Sequence, residues 1–398
     1  MNRHTVGELA QMQSLPLKYK IELTKQRIEA WYNSWTQFEI YDKETGKTRY
    51  ATIDTREYGA EPKMKPSEYI NRESRGHVYL SFSGGKDSTV LKHIIDSMYE
   101  DVPAVFVNTG LEYPEIQHFL RDIKRGKYPC FNSNVEIVRP EMRFDEVLKV
   151  YGYPIVSKEI SDAVYGARHG GGSGKMATKR LRQLMGEYLD KEGKKSIYNC
   201  EKWGFLLDAP FEIHDKCCAV MKKKPAKKYE KETGRKPILG TMAAESRLRR
   251  QSWIKNGCNA FDSNRPTSQP MSFWTEQDVL HYIKEFNVPY CPVYGDIHIK
   301  PPKGTEEGQL NVIDYLGCYE PEDVLETTGC SRTGCIFCMF GCHLEKSPNR
   351  FQRLKETHPR QYEYCIGGGE YNEDGKWQPS KEGLGLGKVL DYIGVEYE

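Results

Sequence analysis

The segment 77–98 constrains the fold of this chain more than any other stretch. It begins with a short apolar run, His77-Val-Tyr-Leu-Ser-Phe82, whose composition indicates a buried β-strand. A turn with two glycines, Ser83-Gly-Gly-Lys-Asp-Ser88, comes next, and residues 88–98 carry apolar side chains at helical spacing. A strand that turns directly into a helix in this way indicates an α/β protein.

The alternation continues along the chain. Residues 102–107 indicate a second strand, residues 113–123 a helix with a proline near its start, and residues 134–138 a third strand. This order predicts a doubly wound, parallel α/β sheet. Ligands of such sheets bind at the carboxyl ends of the strands, which is where the loop 83–88 and the turn 108–110 fall.

Composition narrows the class of protein. Hydrophobic residues make up 38% and aromatic residues 12% of the 398 residues, which is enough for a sizeable core and excludes wholesale disorder. Lys and Arg total 58 and Asp and Glu total 56, so bulk charge does not indicate a nucleic-acid coat. No apolar run approaches the roughly 18 residues that span a bilayer, and the N-terminus lacks the apolar stretch of a signal peptide. We therefore expect a cytoplasmic protein without a membrane partner.

The loop 83–88 has the composition of an anion-binding turn. Gly84 and Gly85 let the backbone approach an anion without an intervening Cβ atom, and the start of the helix supplies N–H donors. Two hydroxyl groups, a positive charge and a carboxylate that can hold Mg²⁺ complete the loop. The candidate cofactor-binding residues are Ser81, Ser83, Gly84, Gly85, Lys86, Asp87, Ser88, Asn108, Thr109 and Gly110.

The cysteines form two groups that are not scattered. Cys217 and Cys218 are adjacent, and four more cysteines lie within residues 330–342. A reducing cytosol disfavours disulfides, and such clusters in intracellular proteins usually hold a metal. Four thiols from Cys330, Cys335, Cys338 and Cys342 alone suit a tetrahedral zinc site as well as an iron–sulfur cluster. Simple buried cysteines are the remaining alternative.

Several segments resemble one known superfamily. The loop 83–88 resembles the PP-loop of the adenine-nucleotide α-hydrolases, also called N-type ATP pyrophosphatases. Residues 76–345 then resemble, in order, the phosphoadenylyl-sulfate (PAPS) reductase family. The segments that carry this resemblance are Asn108-Thr-Gly-Leu-Glu-Tyr-Pro-Glu115, Cys217-Cys-Ala-Val-Met-Lys-Lys-Lys-Pro225, Gly240-Thr-Met-Ala-Ala-Glu-Ser-Arg-Leu-Arg-Arg250, Phe273-Trp-Thr-Glu-Gln-Asp-Val-Leu-His-Tyr-Ile283 with Pro292-Val-Tyr294, and Gly334-Cys-Ile-Phe-Cys338. Two positions depart from the family pattern, since Asn108 replaces an Asp and Met242 an Arg.

The resemblance implies a set of cofactors and site residues. In the iron–sulfur branch of the family, a Cys-Cys pair and a distant Cys-x-x-Cys bind a [4Fe-4S] cluster. The other expected cofactors are ATP and Mg²⁺, bound at the PP-loop. Carried over, the ligands are Cys217, Cys218, Cys335 and Cys338, with Cys330 and Cys342 as alternates. The candidate catalytic residues are Lys86, Asp87, Arg247 and Arg250. The two arginines are the expected phosphate contacts, and we expect Glu245 to pair with one of them.

The resemblance also implies a function. The loop is intact, which fits cleavage of ATP between the α and β phosphates. The tail sequence Tyr364-Cys-Ile-Gly-Gly-Gly369 does not match the Glu-Cys-Gly-x-His motif of the sulfonucleotide reductases. We therefore expect an ATP pyrophosphatase that adenylylates a substrate for sulfur transfer, similar to DNA-phosphorothioation and tRNA-thiolation enzymes. Reduction of adenylyl sulfate or its 3′-phosphorylated form, and non-catalytic nucleotide sensing within a larger complex, are the alternatives.

The expected organisation has three parts. Residues 1–75 are predicted to form a mostly helical N-terminal extension, residues 76–260 the PP-loop nucleotide-binding α/β domain, and residues 261–398 a C-terminal region with the cysteine-rich segment. The expected partner is an adenine nucleotide. A nucleic acid, a sulfur-donor protein and further copies of the chain are candidate partners.

Overall fold

The computed structural model describes residues 3–57, 59–170, 174–300 and 323–398, with the side chains of 174–177 excepted. Cys318 therefore lies outside the described residues. The α-helices are α1 (Val6–Gln13), α2 (Leu17–Asn33), α3 (Lys86–Asp96), α4 (Pro114–Lys124), α5 (Phe144–Tyr151), α6 (Lys158–His169), α7 (Gly174–Met185), α8 (Lys224–Thr233), α9 (Arg247–Asn256), α10 (Glu276–Glu285), α11 (Arg350–Thr357), α12 (Pro359–Ile366) and α13 (Leu386–Tyr392).

The strands are mostly short. They are β1 (Trp35–Asp42), β2 (Lys47–Asp54), β3 (Glu68–Arg75), β4 (Val78–Ser81), β5 (Ala104–Val107), β6 (Val135–Val138), β7 (Ile155–Val156), β8 (Lys236–Leu239), β9 (Asn259–Ala260), β10 (Thr267–Ser268), β11 (Ile297–Ile299), β12 (Leu325–Thr327), β13 (Met339–Phe340), β14 (Glu370–Tyr371) and β15 (Trp377–Gln378). A 3₁₀ segment, Glu201–Asp208, and a π-helical turn, Ala219–Lys223, lie outside these elements.

Two compact units share the chain, and each is assembled from separate segments. Unit 1 comprises Met1–Asn108, Tyr113–Val138 and Ala226–Thr333. Unit 2 comprises Thr109–Glu112, Arg139–Pro225 and Gly334–Glu398. The chain therefore leaves unit 1 after β6 and returns to it in α8.

Unit 1 is built on a six-stranded sheet of order β6-β5-β4-β8-β10-β9. All neighbouring pairs are parallel except β10 and β9, which form an antiparallel edge. The apolar run that indicated a strand is buried in this sheet, with Val78, Leu80 and Phe82 in the main hydrophobic core. The predicted parallel α/β sheet is thus confirmed.

The order of the strands in the sheet reverses at β4, because β5 and β6 follow on one side of it and β8 lies on the other side. Leu80 of β4 pairs with Ala104 of β5 on one side and with Ile238 of β8 on the other. Such a reversal of strand order opens a crevice at the carboxyl ends of the strands, where α/β sheets bind ligands. The loop 83–88 begins at this position.

The first 75 residues, expected to be mostly helical, contain two helices and an antiparallel sheet of order β2-β1-β3. The central strand explains the difference. Its inward-facing side chains, among them Phe38 and Ile40, alternate with more exposed polar ones, which is the pattern of a half-buried strand. The polar composition of the surrounding sequence masks this alternation.

Unit 2 packs helices and short strand pairs around a separate set of buried side chains. Tyr153, Ile155, Phe211 and Ile213 are all almost fully buried. Strand β13 pairs in parallel with β7, which places Met339 opposite Ile155. No helix among the described residues is long and apolar enough to cross a membrane.

Candidate functional site

The loop 83–88 joins β4 to α3 and is closed by its own serines. The hydroxyl oxygens of Ser83 and Ser88 lie 3.0 Å apart, and Ser88 also donates to the carbonyl oxygen of Gly85 at 3.0 Å. Gly84 has φ +72°, and a Cβ atom there would lie 2.9 Å from Cγ2 of Ile116. Glycine is therefore required at this position for both backbone conformation and space.

Lys86 is buried within the loop and already has partners. Its Nζ lies 2.8 Å from Oε1 of Glu276 and donates to the carbonyl oxygen of Ser331 at 2.6 Å. Its backbone N–H donates to the hydroxyl of Tyr294 at 3.2 Å. Only 5% of the side chain is exposed, so the two contacts of Nζ are largely shielded from solvent.

Asp87 carries a buried carboxylate with an unused oxygen. Its Oδ1 is buried and has no hydrogen-bond partner among the described residues. Burial raises the pKa of Asp87; the charge of Glu276 acts in the same direction, and the cations Lys86, Arg332 and Arg249 oppose the rise. A desolvated carboxylate oxygen beside a phosphate-type loop fits a bound Mg²⁺, which prefers such hard ligands.

The second predicted turn follows β5. The backbone N–H of Asn108 donates to the carbonyl oxygen of Val138 at 2.9 Å, so the residue is fixed at the end of its strand in unit 1. In unit 2, Glu112 closes the turn by accepting from the backbone N–H of Thr109 at 3.1 Å and from its hydroxyl at 2.6 Å. Gly110 has φ +75°, which favours glycine.

The arginine expectation needs a correction. Glu245 pairs with neither Arg247 nor Arg250, both of which are exposed on α9. Glu245 instead binds Arg249, four residues further along the chain. It also binds Arg332, whose Nη2 lies 2.9 Å from Oε1 of Glu245. The reason is helical geometry, because a carboxylate placed just before a helix reaches the residue four positions on.

The cysteine pair lies at the start of the π-helical turn. Cys217 is buried and lies next to Cys218. The neighbouring Cys218 thiol, together with burial and the charges of Cys335 and Cys338, raises the pKa of Cys217. The interaction with Cys217 lowers the pKa of Cys218 to about 6, against the effect of burial and with the help of Lys158. The four predicted cysteines therefore act on one another within unit 2.

The backbone of the Cys-x-x-Cys segment accepts two hydrogen bonds, one from a backbone N–H and one from an arginine side chain. The N–H of Cys338 donates to the carbonyl oxygen of Cys335 at 3.1 Å, and Arg350 donates to the carbonyl oxygen of Cys338 at 2.8 Å. Burial raises the pKa of Cys335 to about 11, and the positive charge of Lys222 opposes this rise. Cationic neighbours of this kind stabilise thiolates.

The two alternate ligands, Cys330 and Cys342, lie in different units of the chain. Cys342 belongs to unit 2, is almost fully buried and donates its thiol to the carbonyl oxygen of Met339 at 3.0 Å. Cys330 belongs to unit 1, where its N–H donates to Val293. Among the described residues no three His, Cys, Asp or Glu side chains are arranged as a ready metal site. Thiolates are the usual ligands of iron–sulfur clusters, and the charges of Cys335 and Cys338 act on Cys217, but a cluster held by Cys217, Cys218, Cys335 and Cys338 stays a prediction.

Sequence reasoning missed the residues that surround Lys86. Tyr294, Ser331 and Thr333 contact the loop or its partners, and Glu276 pairs with the ammonium group. Tyr294 lies in the Pro-Val-Tyr part of a segment that resembles the family, so it had a signal. Glu276 also lies in such a segment, 273–283, whereas Ser331 and Thr333 come from distant positions whose contact with the loop depends on the tertiary fold.

The parallel sheet and the loop that follows β4 are those of an α/β protein of the PP-loop superfamily. The profile of the phosphoadenosine phosphosulfate reductase domain matches residues 77–161 and 184–339, and the chain belongs to this family. Among solved structures, a phosphoadenylyl-sulfate (PAPS) reductase from Candida auris, in a phosphate complex, is 16% identical. That match covers 54% of this chain and 75% of the other, with a TM-score of 0.28. A comparison with curated proteins finds no match.

Proposed function

We propose that this protein binds ATP at the loop 83–88, cleaves it to AMP and pyrophosphate, and adenylylates a substrate for sulfur transfer. Family membership supports an adenine-nucleotide ligand. The observation that carries the proposal is the intact loop, in which Asp87 presents a buried carboxylate oxygen that no described residue binds. A carboxylate repels a bound anion, so it would weaken a site that binds only an anion. It can instead coordinate the Mg²⁺ of a Mg²⁺–phosphate complex.

In the proposed reaction, a substrate oxygen attacks the α-phosphate of ATP. A new O–P bond forms, the bond between the α-phosphorus and the bridging oxygen breaks, and pyrophosphate leaves with the electron pair. The leaving charge would be stabilised by Lys86, by N–H groups at the start of α3 and by the Ser83 and Ser88 hydroxyls. A sulfur nucleophile then displaces AMP from the adenylylated substrate.

The four unit 2 cysteines extend the proposal to a cofactor. Cys217, Cys218, Cys335 and Cys338 would hold a [4Fe-4S] cluster, which supplies redox or sulfur-binding chemistry when bound. Lys222 and Lys158 are the cations that act on Cys335 and Cys218, and they would offset the negative charge of the ligating thiolates.

The sulfonucleotide reductase alternative requires an accessible nucleophilic thiol. Cys365 is the tail cysteine, and it is fully buried near the end of α12. Burial raises the pKa of Cys365 well above its ordinary value, which opposes thiolate formation. This favours the ATP-using reading over reduction through the tail thiol.

The test uses the purified full chain with Mg²⁺ and radiolabelled ATP, with bulk tRNA and plasmid DNA as trial acceptors. We expect labelled AMP and pyrophosphate, including a slow rate in which water is the acceptor, and loss of both in Lys86→Ala. Release of ADP and phosphate instead would contradict the proposal. Sulfite released from adenylyl sulfate or its 3′-phosphorylated form, dependent on thioredoxin, would identify the reductase instead.

A further inference from the structure

Three consecutive residues, Ser331, Arg332 and Thr333, reach the phosphate loop or the residues beside it. The carbonyl oxygen of Ser331 accepts from Nζ of Lys86 at 2.6 Å. The hydroxyl of Thr333 lies 2.6 Å from that of Tyr294. A Cβ atom on Gly85 would lie 3.2 Å from both of these hydroxyl oxygens. The segment 331–333 therefore forms a wall of the loop, although it lies outside the motifs that indicate nucleotide binding.

Arg332, the middle residue of this segment, shares one carboxylate with a second arginine. Glu245 binds both Arg332 and Arg249, and its own side chain is only 15% exposed. Arg332 is 64% exposed, against 41% for Arg249. Two guanidinium groups share one carboxylate, so the three side chains carry a net positive charge, and Arg332 is the more accessible of the two cations.

The two arginines also lie within electrostatic reach of the loop. The charges of Arg332 and Arg249 both oppose the burial-driven rise in the pKa of Asp87. The charge of Arg332 also adds to the burial that lowers the pKa of Arg249, as expected for two neighbouring cations. An anion bound beside Asp87 would relieve this repulsion.

We propose that Arg332 is a phosphate-binding residue of the nucleotide site and that Glu245 is the positioning residue that holds it ready. The inference rests on the proposed function, because the ligand is the polyphosphate chain of an adenine nucleotide. The planar guanidinium fork suits a phosphate bidentately. When the nucleotide binds, Arg332 exchanges its contact with Glu245 for one with phosphate, while Glu245 keeps Arg249.

The test is a competition experiment with a fluorescent ATP analogue bound to the full chain in the presence of Mg²⁺. ATP, inorganic pyrophosphate and adenosine serve as competitors for the wild type, Arg332→Ala, Arg332→Lys and Lys255→Ala. Lys255 is exposed in the last turn of α9 and is the matched control. We expect Arg332→Ala to bind ATP and pyrophosphate roughly tenfold more weakly, as for the loss of one charge-assisted hydrogen bond.

Further readouts separate a phosphate contact from a structural role. Adenosine affinity should not change, Arg332→Lys should recover part of the ATP affinity, and the salt dependence of ATP binding should become shallower in Arg332→Ala. Equal losses for ATP and adenosine, or wild-type ATP affinity in Arg332→Ala, would overturn the inference while the proposed function stands. A wild-type chain that binds no ATP would overturn both.

Discussion

The backbone N–H of Ile336 donates a 2.8 Å hydrogen bond to the carbonyl oxygen of Leu111. Ile336 lies between Cys335 and Cys338, and Leu111 lies in the turn that Glu112 closes. The charge of Glu112 acts on both Lys222 and Cys335. Within unit 2, a backbone hydrogen bond thus joins the Cys-x-x-Cys segment to residues 109–112.

The bipartite cysteine set makes a prediction about metal content. Anaerobically purified wild type should contain about four irons and a matching amount of sulfide per chain. The double variants Cys217→Ala/Cys218→Ala and Cys335→Ala/Cys338→Ala should each lose both, because a cluster needs ligands from both segments. Elemental analysis and the absorption spectrum measure the outcome.

Cys200→Ala is the matched control for these variants, since Cys200 lies in unit 2 outside the proposed ligand set. It should keep the full iron content. Zinc without sulfide would contradict the iron–sulfur cluster, and iron that survives in the Cys217/Cys218 variant would contradict the four-residue ligand set.

Asp87→Asn should separate stability from function. The substitution replaces a carboxylate, whose buried Oδ1 has no hydrogen-bond partner among the described residues, with an uncharged amide. Because an uncharged group costs less to bury, we expect the free energy of unfolding to rise by about 1 kcal/mol. Binding of Mg²⁺–ATP should fall, because the carboxylate ligand is gone. Urea denaturation and nucleotide titration test the two halves of this prediction.

A second buried carboxylate on α3 supplies the contrast. Asp96 lies 2.7 Å from Nζ of the fully buried Lys92, so Asp96→Asn should destabilise the protein by leaving that cation without its counter-charge. If both Asn variants shifted the free energy of unfolding in the same direction, the claim that the unpartnered Asp87 carboxylate destabilises the fold would be contradicted.

The sheet could be predicted from the sequence because its strands are local apolar runs. Strands β4 and β5 appear as short apolar stretches followed by turns, and the structure confirms both. The pairing of Glu245 with Arg332 could not be predicted, since the two residues are 87 positions apart and meet only through the tertiary fold. The iron–sulfur ligand set came from resemblance, and it stays a prediction.

A buried ion pair links the N-terminal helices to the rest of unit 1. Nζ of Lys20 in α2 lies 2.7 Å from Oδ2 of Asp278, with the two side chains 2% and 13% exposed. Asp278→Ala should lower the free energy of unfolding by about 3–5 kcal/mol, because it leaves the Lys20 charge buried without a partner. Glu22→Ala, which removes an exposed pair with Lys25 on the same helix, should change it by less than about 1 kcal/mol in urea denaturation.

The N-terminal sheet should respond to acid through Glu68. The Arg49 hydrogen bond lowers the pKa of Glu68 from its ordinary 4.5 to about 2. A lowered carboxylate pKa stabilises the fold above pH 4.5, and this contribution is lost as the pH falls from 4.5 towards 2. Glu68→Gln should therefore be less stable than wild type at neutral pH, with the difference closing over that window.

Equilibrium unfolding measured at a series of pH values checks this expectation. Glu73→Gln, an exposed position on the same strand β3, is the control and should stay close to wild type at neutral pH. A Glu68→Gln difference that persists unchanged at pH 2 would show that the side chain acts through shape rather than charge.

The separation of β4 and β8 along the chain has a consequence for biosynthesis. Val78 of β4 pairs with Lys236 of β8. Strand β4, which leads into the loop 83–88, therefore cannot pair with β8 until residues 139–225 have been synthesised. Distant strand pairings are slow to form, and a growing chain exposes an apolar strand edge meanwhile. Assembly of the site around the loop 83–88 is therefore a late event in folding, and this protein is most exposed to chaperones and to aggregation while it is still a nascent chain.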